Sequence, residues 1–148
     1  MIKANIIVDY SPWKSKIFNP DLHVKKRLEI ILKKKFLKRS NIEFSILLTH
    51  KRLMKKLNLK FRKKNKITDV LAFPHSKKKI SKGYIGDIAI CYEIVNQRSK
   101  KTNFKYEFDK MWLHGYLHLL GYDHKNNSDY NEMLNKEQTI IKDFDYKF

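Results

Sequence analysis

An α+β fold is predicted for this chain: one sheet of about four strands in mixed order, with helices packed mainly on one of its faces. Three observations carry it. Ile2–Val8, Ile42–Thr49, Thr68–Phe73 and Tyr84–Cys91 are short apolar or alternating runs of strand length. The stretches around Asp21–Lys38 and from Tyr92 onward carry helical spacing instead. The 148 residues suit one domain with a sizeable core, and no Pro/Gly/Ser-rich linker or internal repeat divides them, so residues 1–148 are read as a single domain.

The elements follow in order. Ile2–Val8 alternates as a first strand. Asn19-Pro20-Asp21 is a start signal for a helix from Asp21 to about Lys38, with Leu22, Leu28, Ile31, Leu32 and Phe36 forming its apolar stripe. Ile42–Thr49 is a second strand, and His50–Leu57 a short helix turning Leu53, Met54 and Leu57 inward, followed by a basic loop. Thr68–Phe73, closed by Pro74, and Tyr84–Cys91 can pair as a hairpin across a lysine-rich turn. Helix follows through Tyr106–Leu120 and again from about Ser128 to Phe144, the last capped by Ser128 with Asp129.

Composition narrows the setting. No window approaches the ~20 apolar residues of a membrane span, and Asp9 cuts the first apolar run short of a signal-peptide core, so a soluble, cytoplasmic protein is expected. Cys91 is the single cysteine, which excludes an internal disulfide and a CxxC zinc ribbon. The net charge of +18 favours a polyanion partner such as nucleic acid, although A/T-biased coding also enriches lysine. The basic runs, among them Lys33-Lys34-Lys35, Lys60-Phe61-Arg62-Lys63-Lys64 and Lys77-Lys78-Lys79, lie mainly ahead of the histidine-rich segment.

That segment, His114-Gly-Tyr-Leu-His118-Leu-Leu-Gly-Tyr-Asp-His124, holds three of the six histidines. Residues at i and i+4 share one helix face, so His114 and His118 can offer imidazole nitrogens to a single ion. Gly121 stands where a helix most easily ends in a left-handed residue, and the turn after it can bring His124 back as a third ligand. Neutral imidazole suits zinc, and three ligands leave the fourth tetrahedral position to water, as catalytic sites do. A fourth ligand such as His75 or Asp87 would close the site. His23 and His50 read as ordinary polar residues. The four glycines, Gly83, Gly86, Gly115 and Gly121, all fall beside proposed sites; Gly86 can admit a ligand near its strand and Gly115 a close neighbour on the helix, or both can serve turns and packing.

The histidine run resembles the signature of the YbeY family of bacterial endoribonucleases. Thr68-Asp69-Val70-Leu71-Ala72-Phe73-Pro74 and Gly86-Asp87-Ile88-Ala89-Ile90 resemble two further segments of that family in the same order, with Ala72 and Cys91 departing from its usual serines. The likeness is specific from about Ile42 onward. It implies one zinc ion per chain on His114, His118 and His124, single-strand-specific cleavage of RNA, maturation of the 16S ribosomal RNA 3′ end, and ribosome quality control. The implied partners are ribosomal RNA and the small ribosomal subunit, with a platform ribosomal protein and an Era-type GTPase.

Arg62 falls where the family carries an arginine associated with activity, and its permanent charge and paired donors make it the candidate phosphate clamp. Gly115 occupies the place of the glutamate base in the zincin pattern His-Glu-x-x-His, which weighs against peptidase chemistry. The base is left open among a metal hydroxide, Asp87 and the 2′-hydroxyl of the RNA. Asp123 can orient an imidazole or cap a turn. A competing reading is an assembly factor in which zinc only holds the fold.

Overall fold

In a computed structural model that describes residues 1–34, 41–76 and 82–146, four strands form one sheet. They are β1 (Ile2–Val8), β2 (Ile42–Thr49), β3 (Val70–Pro74) and β4 (Gly83–Cys91), in the order β1-β2-β4-β3. β1 runs parallel to β2 and β2 parallel to β4, while β3 pairs antiparallel with β4 and makes the expected hairpin. Parallel neighbours require crossovers. The first contains helices α1 (Pro12–Lys16) and α2 (Pro20–Ile31), and the second contains α3 (Lys51–Arg62) and β3. Helices α4 (Tyr92–Arg98), α5 (Phe104–Leu119) and α6 (Asn127–Ile141) complete the chain.

The period-two alternation decides which face each strand residue joins. Ile42, Phe44, Ile46 and Leu48 of β2, with Ile88 and Ile90 of β4, point into the main core, where they meet Trp13, Leu28, Phe108, Trp112 and Tyr116. Each large side chain buried there contributes roughly 1.5–3 kcal/mol. Ala89 and Cys91 face the other way and make a smaller cluster with Leu71 and with Met54 of α3. The prediction of helices mainly on one face therefore holds, with α3 as the exception.

Local details differ from expectation at several places, each for a packing or capping reason. Asn19 caps α2 by accepting from the Leu22 amide at 3.1 Å, but the described helix ends at Ile31, and the remainder of the stretch predicted to Lys38, with Phe36, lies outside the described residues. Its core stripe is Pro20, Val24, Leu28 and Ile31, spaced at i, i+4, i+8 and i+11; Leu22 lies off that stripe and is 45 % exposed. α1 escaped the sequence reading. Trp13 makes it worthwhile, fully buried with its indole N–H donating to the Thr49 carbonyl at 2.9 Å.

α3 begins one residue later and ends five later than predicted. His50 is its N-cap, and Lys63, in the left-handed region at φ 59°, ends it. Arg62 thus sits on the last helical turn rather than in a loop. The helical run from Tyr92 is broken by a 3-10 turn at Ser99–Lys101 before Asn103 caps α5, and Asn126, not Ser128 or Asp129, caps α6 by accepting from the Asp129 amide. Asn126 is two residues nearer the histidine turn, so that turn runs directly into α6. Among the described residues, no helix is long and apolar enough to cross a membrane.

Candidate metal centre

α5 is the helix that presents the histidines, and its seating on the sheet depends on Gly115. A Cβ there would stand 2.9 Å from the Ile88 side chain of β4, so a hydrogen lets the helix approach the sheet closely on the side next to His114. Gly86 serves packing too. It adopts φ +143°, and a Cβ would stand 2.4 Å from the Phe73 carbonyl and 2.8 Å from Leu119, so the space once open to a ligand is filled by the hairpin and α5.

The helix ends as the glycine signal predicts. Gly121 has φ 103°, its amide donates to the His118 carbonyl at 3.0 Å, and the Tyr122 amide donates back to Leu117 at 3.0 Å. This double closure, a Schellman motif, reverses the chain within one turn and returns His124 to the helix face carrying His114 and His118. One nitrogen from each of the three rings lies within 4.8 Å of the others, and this is the candidate metal-holding group among the described residues. His75 and Asp87 are outside it.

The ring nitrogens are assigned by their partners. His118 Nδ1 lies 3.0 Å from the Tyr122 carbonyl, which can only accept, so that nitrogen carries a proton and Nε2 is bare. His114 Nδ1 lies 2.5 Å from Glu137 Oε1 of α6. The two Nε2 atoms then face each other at 3.1 Å. Two nitrogens about 2.05 Å from one tetrahedral ion stand roughly 3.3 Å apart, so the pair has the separation a shared zinc-sized cation requires. Burial first, then the nearby His114 and His124, pushes His118 down to about 4, which keeps it neutral and able to donate its lone pair at neutral pH.

The histidines stand on a cleft of about 920 Å³ whose other side is built by the end of α3, the segment after it and β3. Arg62 lines this cleft, so all four residues singled out from the sequence share it. Its Nη2 donates to the Ala72 carbonyl at 2.8 Å and its guanidinium lies 5.7 Å from the Phe73 ring, which hold the side chain in place while leaving further N–H donors. Lys64, Lys66 and Lys125 add positive charge to the same walls. Asn58, buried on α3, donates to the Lys66 carbonyl at 3.0 Å and shapes the segment that carries these lysines.

Other expectations are redistributed. Asp87 does not line the cleft, because alternation turns it to the opposite face from Ile88, where its carboxylate accepts from the Tyr84 hydroxyl. Asp123 accepts from the His124 amide at 2.8 Å, a turn-capping bond, rather than orienting an imidazole. The second cleft carboxylate, Asp69, is paired with Arg98 at 2.8 Å. His23 is more than an ordinary polar residue: it bonds the buried Asp109 at 2.8 Å. Glu137, which does contact a ligand ring, was missed, and nothing in its local sequence marks it, since the contact spans 23 residues.

Known proteins agree with this architecture. A protein of Thermotoga maritima solved in solution shares the fold with a TM-score of 0.65 at 24% identity, over 97% of this chain and 89% of that one. Endoribonuclease YbeY of Pelagibacter ubique is 38% identical over 96% of this chain and 95% of its own length. The Buchnera aphidicola proteins of the same name are 43% identical over 73% of this chain and 72% of theirs (subspecies Baizongia pistaciae), and 38% identical over 97% and 94% (subspecies Acyrthosiphon pisum). The family model described as endoribonuclease YbeY matches residues 11–145, and with these relatives it shows that the chain belongs to the YbeY family.

Proposed function

We propose that this protein is a zinc-dependent endoribonuclease that cuts single-stranded RNA in ribosomal RNA processing, maturing the 3′ end of 16S rRNA and serving ribosome quality control in the cytoplasm. The observation that carries the reading is the union in one cleft of three convergent imidazoles, Arg62 and a lysine-rich wall. Family membership supports the ribonuclease class.

His114, His118 and His124 would hold the zinc, which when bound can lower the pKa of water and polarise a phosphoryl oxygen. Arg62, anchored by Ala72, offers its free donors to the phosphate as negative charge grows on it. Lys64, Lys66 and Lys125 hold the flanking backbone. Asp69 and Asp123 line the cleft but are occupied by Arg98 and the His124 amide, and Gly115 leaves no room for a zincin glutamate. Neither carboxylate lining the cleft is then free to act as base, and the attacking oxygen is either that of water or the 2′-hydroxyl of the RNA. The proposed partners are ribosomal RNA and the small ribosomal subunit, with a platform ribosomal protein and an Era-type GTPase, on the strength of family membership.

The test is cleavage of a ribosomal RNA 3′-end precursor by metal-quantified wild type and His118→Ala, purified together, with and without chelator. Cleavage that tracks one bound zinc per chain and disappears in the variant and the chelated sample is expected, and cyclic phosphate product ends would identify 2′-hydroxyl attack. Zinc uptake without metal-dependent cleavage would instead favour an assembly factor acting by binding.

A further inference from the structure

We propose that Glu137 is the positioning residue of the metal centre: its carboxylate accepts the Nδ1 proton of His114 and so fixes the ring with its other nitrogen bare toward the ion. The inference rests on the metal-centre reading and adds to it a residue from a separate element.

The geometry is one-sided. His114 Nδ1 is 2.5 Å from Glu137 Oε1, while Nε2 of the same ring is 3.1 Å from His118 Nε2. A carboxylate oxygen only accepts, so the proton between them belongs to Nδ1. In a neutral imidazole that leaves Nε2 as a lone pair. Without a partner at Nδ1, a neutral imidazole mostly carries its proton on the other nitrogen, the one that must be bare to bind metal. Glu137 reverses that preference before any ion arrives.

His118 receives the equivalent service from a backbone carbonyl made available by the Gly121 turn, so one ligand is set by the turn and the other by α6. The contact is partly withdrawn from water, with the His114 and Glu137 side chains 32% and 21% exposed, unlike a freely solvated surface pair. α6 has other anchors: Met133 is buried in the main core, and the Lys136 ammonium lies 5.3 Å from the Tyr122 ring in the turn after α5. These seat the helix, so removing the Glu137 carboxylate need not undock it.

The experiment is a competitive chelator titration of zinc into metal-free full-length wild type, Glu137→Ala, Glu137→Gln and Lys136→Ala, with two-bond ¹H–¹⁵N spectra reporting the tautomer of His114. Glu137→Ala is expected to bind zinc about 10–100-fold more weakly and to shift the His114 proton from Nδ1 to Nε2. Glu137→Gln, whose amide oxygen still accepts, should keep the tautomer and lose less affinity. Lys136→Ala, a packing control on the same helix, should match wild type in both. Unchanged zinc affinity or unchanged tautomer in Glu137→Ala overturns the proposal, as does an equal loss in Lys136→Ala. If Glu137→Ala does not fold, Glu137→Leu takes its place, and unchanged zinc affinity or an unchanged His114 tautomer in it is equally fatal. Failure of wild type to take up one zinc would sink the metal-centre reading itself, whereas tight zinc binding with no effect of Glu137 would sink only its positioning role.

Discussion

His118→Ala and Arg62→Ala should separate metal holding from phosphate stabilisation. The first removes a ring whose Nε2 faces the other ligands, so zinc content and RNA cleavage should fall together. The second removes a cation on the opposite wall, so cleavage should fall by roughly 10²-fold or more with zinc content retained, on the scale of losing one charge-stabilising donor. Equal zinc loss in both, measured by elemental analysis, would refute that division. His118 also sets a pH response in the metal-free protein. Its pKa is about 4 folded against the ordinary 6.5, so the unfolded chain takes up the proton first. Stability should be full above that upper value and decline as pH falls toward the lower one, by at most about 1.4 kcal/mol per pH unit, as chemical denaturation at stepped pH would show. The two close-packed glycines should respond unequally. Gly86→Ala places a methyl against backbone at positive φ and should cost roughly 3 kcal/mol or more. Gly115→Ala pushes on the buried Ile88 side chain, and about 1 kcal/mol of helix propensity offsets only part of that overpacking, so its net loss should be about 1–2 kcal/mol, less than at Gly86. The histidine triad was readable in the sequence because i, i+4 spacing and a helix-ending glycine are local facts. Glu137 was not, since its role exists only once α6 lies on α5.

Elements show the same boundary between local and tertiary information. Strand runs were placed nearly to the residue because alternation records which face is buried, and the mixed sheet order leaves β2 and β4 central, where that signal is strongest. α3 ran past its predicted end because Asn58, a polar residue, fills a buried helix position by bonding the Lys66 carbonyl, an arrangement that hydrophobic spacing does not register. The join between α2, α5 and the C-terminal turn was equally hidden. Asp109, fully buried, receives the His23 ring at 2.8 Å, the Arg27 guanidinium at 3.1 Å, the Trp112 indole at 2.7 Å and the Tyr146 hydroxyl. Burial and this carboxylate push the Tyr146 hydroxyl far above the ordinary phenol range, so it remains a donor. Removing the carboxylate takes the ion partner from the partly buried Arg27 and strands three further donors at once. Asp109→Ala should therefore lose roughly 3–5 kcal/mol, read as a drop in the denaturant midpoint, far more than any surface pair. Lys34–Asp143, at 2.5 Å but more exposed, should matter far less when broken.

For the whole molecule, net charge governs association rather than folding. With +18 overall and lysines on the cleft walls, affinity for single-stranded RNA should fall steeply with salt, the log–log slope being about −0.7 per phosphate neutralised. Replacing Lys64 and Lys66 together should flatten that slope by roughly 1.4 if each meets one phosphate, measured by fluorescence anisotropy across a salt series. The turn at Gly121 has a further effect on the protein as a population of folded and unfolded chains. All three ligands come from one short continuous stretch, so the denatured chain keeps them near one another and can itself capture an ion. Metal stabilises a fold only by the difference in its affinity for the two states. Added zinc should consequently raise the melting temperature by less than the native affinity alone would give, with the shortfall set by how well an unfolded histidine run chelates without α6 beside it.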